Sequence, residues 1–189
     1  MNRTYLEERA ILCPRNEMVD EVNSYIMGRI EGEEVTYQSS DTVCKAMSNS
    51  EDGDHLYPTE FLNSLKCPGI PDHEIRLKVG LPVMLLRNIN QREGLCNGTR
   101  LTITQLGKWF IEALIITGTN IGNKVYIPRI IMSPSDSKWP FVSKRRQYPI
   151  SVCFAMTINK SQGQSLKHVG LYLRKQVFTH GQLYVAVSR

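Results

Sequence analysis

Ser151-Val-Cys-Phe-Ala-Met-Thr-Ile-Asn-Lys-Ser-Gln-Gly-Gln-Ser165 is the stretch that decides how this chain is read. Val152 to Met156 is an apolar run of the kind expected of a buried strand. It breaks into Thr157-Ile-Asn-Lys-Ser-Gln-Gly163, which carries hydroxyl, amide and ammonium groups and a glycine. Such groups are costly to bury and suit a site that holds an oxyanion. In open α/β sheets, ligands bind at the carboxyl ends of strands, where loops and helix N-termini present backbone N–H groups. Thr157 and Ser161 offer hydroxyl donors, Lys160 a point charge, and Gly163 close backbone approach. The same residues also make an ordinary polar strand-to-helix turn, and composition alone favours that plainer reading.

Downstream, His168-Val-Gly-Leu-Tyr-Leu173 reads as a second strand. Thr179 with Gln182 three positions on forms a capping box for a final helix, with Leu183 and Val187, and Tyr184 beside them, facing the core. Arg189 follows at the end of that helix. A guanidinium there can reach across a cleft to a γ-phosphate, as arginine fingers do, with a contribution of ~10³–10⁵ in rate. Taken alone, a cation at a helix C-terminus is the commoner arrangement.

Upstream, Ala10-Ile-Leu-Cys13 is a short apolar run stopped by Pro14. Asn16 is positioned to cap a helix whose one face carries Met18, Val19, Val22, Tyr25 and Ile26. Glu31 to about Asp54 is acidic and polar and reads as an exposed connector. Pro58 to Leu65 suggests one short helix burying Phe61, Leu62 and Leu65. From Ile75 the periodicity changes. Ile75–Val79, Pro82–Leu86, Arg100–Thr104, Phe110–Thr117 and Lys124–Met132 read as short strands, with Asn97-Gly98, Gly107-Lys108 and Gly122-Asn123 as turns. They suggest a small barrel or curled sheet. A Pro/Ser-rich bend, Ser133 to Pro140, and a basic cluster, Lys144-Arg145-Arg146, follow. Segments of α/β type thus bracket a β-rich middle, the pattern of one α/β domain carrying a β insertion.

The 189 residues suffice for a real core, and no apolar run is long enough to span a bilayer. Five scattered cysteines form no Cys-x-x-Cys pair, which argues against a disulfide framework or a zinc site and for a reducing compartment. The net charge of +5 hides an asymmetry. Residues 1–74 carry 6 Lys/Arg against 15 Asp/Glu, a balance of −9, and residues 75–189 carry 17 against 3, a balance of +14. The second part has the electrostatic footprint of a phosphate-backbone binder.

Four ordered blocks carry a family resemblance. Ala155 to Ser165 and Gly181 to Arg189 resemble motifs V and VI of the PIF-family DNA helicases, superfamily-1 enzymes that move 5′ to 3′, including the helicase part of Helitron transposons. Ala10 to Asn23 resembles motif IV. Leu77 to Asn88, followed by Leu95-Cys-Asn-Gly-Thr-Arg100, resembles the family's insertion domain, and Arg145-Arg-Gln-Tyr-Pro149 fits the Helitron-type version. The resemblance implies an α/β, RecA-like helicase domain (2A) interrupted by a small β-rich, SH3-like insertion (2B). Residues 1–30 and 149–189 would form the two segments of 2A. Residues 31–74 would form the acidic connector and short helix, and 75–148 the insertion and return. It further implies Arg189 as arginine finger; Gln162, Gly163 and Arg15 on the nucleotide side; and Thr157, Asn159, Lys160, Ser161, Arg87 and Asn88 toward single-stranded DNA. Where many relatives have His, this chain has Asn159, which lacks a titratable ring.

No Gly-x-x-x-x-Gly-Lys-[Ser/Thr] occurs, and Asp20-Glu21 lies on an amphipathic helix rather than after a strand. The family's ATP and Mg²⁺ therefore need an upstream Walker-bearing RecA-like lobe, and the chain contains no metal ligands of its own. The sequence is thus expected to be a C-terminal portion of an ATP-dependent helicase, inactive alone, working with that lobe on single-stranded DNA, with no membrane partner. The resemblance implies a nuclear or mitochondrial setting and a role in DNA repair, recombination, telomere maintenance or transposition. The alternative is a non-catalytic single-strand-binding remnant of a transposon-derived helicase.

Overall fold

In the computed structural model, residues 9–43, 57–134, 141–164, 166–174 and 180–188 are described. Strand β1 (Arg9–Cys13) is the middle of a three-stranded parallel sheet, flanked by β12 (Ala155–Thr157) and β13 (His168–Leu171). A strand paired on both edges and covered on its faces must be apolar throughout, which is why Ala10-Ile-Leu-Cys13 shows no alternation. Pro14 then turns the chain into helix α1 (Asn16–Met27). The cap position falls on Arg15, with no side-chain capping bond, so Asn16 is the first helical residue and not the cap. Met18 is buried as expected, but Tyr25 is exposed under the Arg29 guanidinium, and Asn23 takes the buried position instead.

The segment read as an exposed connector contains two strands, β2 (Val35–Gln38) and β3 (Ser40–Val43). They escape a pattern-based reading because Tyr37 is their only fully buried residue. Their partners lie far along the chain. β2 pairs with β4 (Glu74–Leu77), and β3 with β10 (Ser143–Gln147), which also pairs with β9 (Ile130–Met132). Between them α2 (Thr59–Ser64) buries Leu62, with Leu65 just beyond.

The insertion is a five-stranded antiparallel sheet in the order β11-β5-β6-β7-β8. Its strands are β5 (Pro82–Leu85), β6 (Arg100–Leu106), β7 (Phe110–Ile115), β8 (Lys124–Pro128) and β11 (Ile150–Val152). The turns at Asn97-Gly98, Gly107-Lys108 and Gly122-Asn123 fall where the dipeptides place them. The run Val152–Met156 is not one strand. Val152 ends β11 in the antiparallel sheet, and Ala155 begins β12 in the parallel one. Cys153 and Phe154 make the crossing, with Cys153 N–H donating to Pro82 O (2.9 Å) and Phe154 O accepting from Ile11 N–H (2.9 Å). Residues 150–152 therefore belong to the insertion sheet, whereas the sequence reading ends the insertion at residue 148.

The two units share a core. Met84 of β5 packs with Ala10, Leu12, Met156 and Ile158. Polar ties reinforce that contact. The fully buried Arg100 guanidinium donates to Arg9 O (2.9 Å), and Lys78 Nζ donates to Ile30 O (2.7 Å) and Met27 O (3.3 Å), satisfying carbonyls left over at the end of α1.

Candidate functional site

Cys13 of β1 lies opposite Thr157 of β12, so both strands leave the sheet at the same edge. Arg15 follows one strand and a 3-10 turn, Ile158–Ser161, follows the other. This is the carboxyl edge at which α/β sheets bind ligands. Thr157 opens the turn by accepting the Lys160 N–H on its hydroxyl oxygen (3.4 Å). A 3-10 helix has three residues per turn, so positions 158 and 161 eclipse each other. Ile158 and Ser161 accordingly point inward and are fully buried, while Asn159 and Lys160 are exposed.

That periodicity corrects one expectation. Ser161 does not face a ligand: its hydroxyl donates to Ile158 O (2.7 Å) and closes the turn from within. Gln162 and Gly163 are exposed beyond it. Gly163 has φ +77, and a Cβ added there would meet nothing within 4 Å, so the backbone is open to close approach.

Two amides brace this elbow. Gln164 Nε2 donates to Gly98 O (2.8 Å), in the turn between β5 and β6. Gln182 Nε2 donates to Asn159 Oδ1 (3.4 Å) from helix α3 (His180–Val187). Helix α3 buries Ala186, with Val185 beside it, against Ala10, Leu12, Met156 and Ile158. Leu183, Tyr184 and Val187 are exposed, contrary to the expected inward face. Leu183 and Val187 are the i, i+4 pair a helical pattern selects, but it is Ala186 that packs with Met156 and Ile158. Arg189, Thr179 and Ser165 lie outside the described residues. The helix leading to Arg189 packs on the elbow, continuing to Ser188, whose N–H donates to Tyr184 O (3.0 Å).

Asn88 is exposed, and its Oδ1 accepts the Asn97 N–H (2.7 Å), shaping the turn that Gln164 grips. Arg87 is half-buried. Its Nη1 lies 3.5 Å from where a Cβ on Gly69 would sit, in the loop after α2. Arg15 is half-buried at the start of α1. A shallow groove beside the elbow is lined by Asn16, Val19, Met84, Thr157 and Lys160. Beneath it, burial pushes the Cys153 thiol up, only partly offset by the neighbouring Arg100 and then Lys160. Cys13, at the end of β1, is pushed up to about 11 by burial and then by Glu21. Both thiols are thus held neutral as packing groups, not nucleophiles. Glu21 itself pairs with Arg174 at the surface (3.0 Å).

The sequence reading missed Asn23. Its Nδ2 donates to Val152 O (3.1 Å) and Ala155 O (3.3 Å), and its Oδ1 accepts from Phe154 N–H (3.1 Å) and Ala155 N–H (2.8 Å). One buried amide thereby fixes the strand crossing that delivers the elbow. An isolated Asn among Val22, Tyr25 and Ile26 was the available signal, since buried polar side chains need partners.

Fold and edge together define a class: a RecA-like domain interrupted by a 2B-type β insertion. The family profile described as "DNA helicase Pif1, 2B domain" matches residues 60–106. The chain is 28% identical over 189 residues to the ATP-dependent DNA helicase PIF1 of Xenopus laevis, covering 94% of this chain and 25% of that protein. It is 31% identical over 118 residues to the human ATP-dependent DNA helicase PIF1, covering 61% of this chain and 18% of that protein. Among solved structures, the Pif1 helicase of Candida albicans superposes with a TM-score of 0.68 at 25% identity, over 96% of this chain and 42% of that one. A Bacteroides Pif1 bound to single-stranded DNA superposes with a TM-score of 0.67 at 22% identity, over 99% and 42%. The chain is thus similar to Pif1 helicases, and it spans 25% of the length of the Xenopus laevis protein and 18% of that of the human one.

Proposed function

We propose that this chain is the 2A–2B part of an ATP-dependent DNA helicase that moves 5′ to 3′ along single-stranded DNA and unwinds duplex. The observation that carries the reading is the elbow: Asn159, Lys160, Gln162 and Gly163 exposed together at the carboxyl edge of the parallel sheet, with helix α3 packed against them. Solved Pif1 relatives include one in complex with ADP-AlF3 and single-stranded DNA, which supports a nucleotide and a strand as the two ligands. ATP with Mg²⁺ supplies the free energy of the cycle. In this chain Gln162, Gly163 and Arg15 fit contacts to the nucleotide, since Gly163 leaves its backbone unobstructed. Lys160 and Asn159 offer a charge and a donor–acceptor amide to the strand, with Thr157, Arg87 and Asn88 at their flanks. Arg189 supplies the finger. The phosphate cradle and the Mg²⁺ carboxylate come from a Walker-bearing lobe. The setting that fits this activity is the nucleus or mitochondrion, in DNA repair, recombination or Helitron-type transposition.

Mixing the chain with a separately produced Walker-bearing RecA-like lobe tests the reading. DNA-stimulated ATP hydrolysis should emerge only in the mixture and fall by about 10³ or more with Arg189→Ala. Single-strand binding without turnover in the mixture, or turnover indifferent to Arg189→Ala, would leave a non-catalytic binder instead.

A further inference from the structure

The outer face of the β7–β8 hairpin carries exposed aromatic side chains. Both strands alternate, and their inward residues Ile111, Ala113, Ile115 and Ile127 are fully buried. Outside, Trp109 is 74% exposed, Tyr126 55% and Phe110 41%. Single exposed apolar residues are ordinary, but two of these are in contact and Trp109 directly precedes one of them in the turn. Phe110 meets Tyr126 edge-on with ring centroids 5.3 Å apart, and the register sets Pro128 opposite Phe110.

The turn presenting Trp109 is locked. Tyr37 Oη donates to Gly107 O (2.9 Å), Tyr148 Oη donates to Lys108 O (3.1 Å), and Gly107 N–H donates to Phe110 O (3.1 Å). A Cβ on Gly107 would lie 2.7 Å from Phe110 O, so the tight turn requires glycine. An exposed indole on a fixed backbone forfeits little entropy when something stacks on it. Lys108 Nζ stands 5.3 Å from the Trp109 ring centroid, and Lys124 lies further along the same face. The neighbouring acid, Glu112, is mostly covered and spoken for, accepting from the Thr104 hydroxyl (2.7 Å) and pairing with Lys124 (3.2 Å).

We propose that this face is a stacking platform for the bases of unpaired nucleic acid, separate from the elbow. Exposed π-faces with the Lys108 cation over one of them, on a half of the chain with a charge balance of +14, match a ligand that is both aromatic and polyanionic. The platform rests on the reading that the chain binds single strands, and it lengthens the track beyond the elbow.

The chain has two tryptophans, so Trp139→Phe leaves Trp109 as the only indole. Titrating that variant of the 189-residue chain with oligo-dT should quench Trp109 emission. In the otherwise unchanged chain, Trp109→Ala with Tyr126→Ala should weaken binding of a labelled ~20-nucleotide strand about tenfold by anisotropy, with the circular dichroism spectrum retained. Unaltered Trp109 emission at saturation, or unaltered affinity in the double variant while Lys160→Ala still weakens binding, overturns the platform and leaves the elbow standing. If Lys160→Ala is also without effect, the single-strand reading fails as well.

Discussion

Arg145 illustrates how little a residue's type says about its surroundings. It sits in Lys144-Arg145-Arg146, a run that reads as a basic cluster, yet strand alternation sends only Lys144 and Arg146 to solvent. The Arg145 side chain is 7% exposed and pairs with Asp41, itself 3% exposed, at 2.6 Å. Its remaining donors reach Leu62 O (3.0 Å), Leu65 O (3.1 Å) and Pro71 O (3.0 Å). One guanidinium thus neutralises a buried carboxylate and satisfies carbonyls at the end of α2, where a cation also complements the helix dipole. Arg145→Ala leaves Asp41 buried and unpaired, and should cost about 3–5 kcal/mol in urea denaturation. Arg146→Ala, at the exposed neighbouring position, should cost under about 0.5 kcal/mol. Equal losses for the two would show that the buried pair is not what holds these strands together.

The elements around the function are short turns held by side chains from elsewhere. The 3-10 elbow is braced by Gln164 and Gln182, and the β6–β7 turn by Tyr37 and Tyr148. Tyr37 and Tyr148 also contact each other edge-on, 5.1 Å apart, with the Arg129 guanidinium 4.9 Å from the Tyr148 ring. Gly107→Ala drives a Cβ into the Phe110 carbonyl, so the turn must open. The expected loss is about 1–3 kcal/mol, read as a lower melting temperature. Gly118→Ala is a poor comparison, because its φ of +94 strains any side chain even though nothing stands within 4 Å. A Gly107→Ala protein as stable as the parent would mean that the turn is not locked.

At the scale of the whole molecule, the basic excess of residues 75–189 is only partly available to a ligand, since Arg100 and Arg145 are spent internally. Binding of single strands should weaken as salt rises, with a log–log slope of about −0.7 for each phosphate neutralised. Lys160→Ala should flatten that slope by about one such step while leaving the fold intact. Affinity indifferent to ionic strength would remove the electrostatic case for a nucleic-acid track. The same scale explains why the insertion is not a separate bead. Met84, Arg100 and Lys78 join it to the parallel sheet through shared packing and through bonds to backbone carbonyls of β1 and α1.

The chain's residues alone determined the α/β ends, the β-rich middle, its turns and the polar elbow after an apolar run, because periodicity and turn chemistry are local. They could not reveal β2 and β3, whose partners lie tens of residues away, nor the division of Val152–Met156 between two sheets, since burial on both sides erases alternation. Which residues of the elbow face outward was settled by its three-residue turn, which hid Ser161 and exposed Asn159 and Lys160. The buried roles of Asn23, Arg100 and Arg145 were settled by where distant carbonyls and a carboxylate came to rest. Local pattern specifies what a segment can become; only the folded neighbours supply the partners that a buried polar group must have.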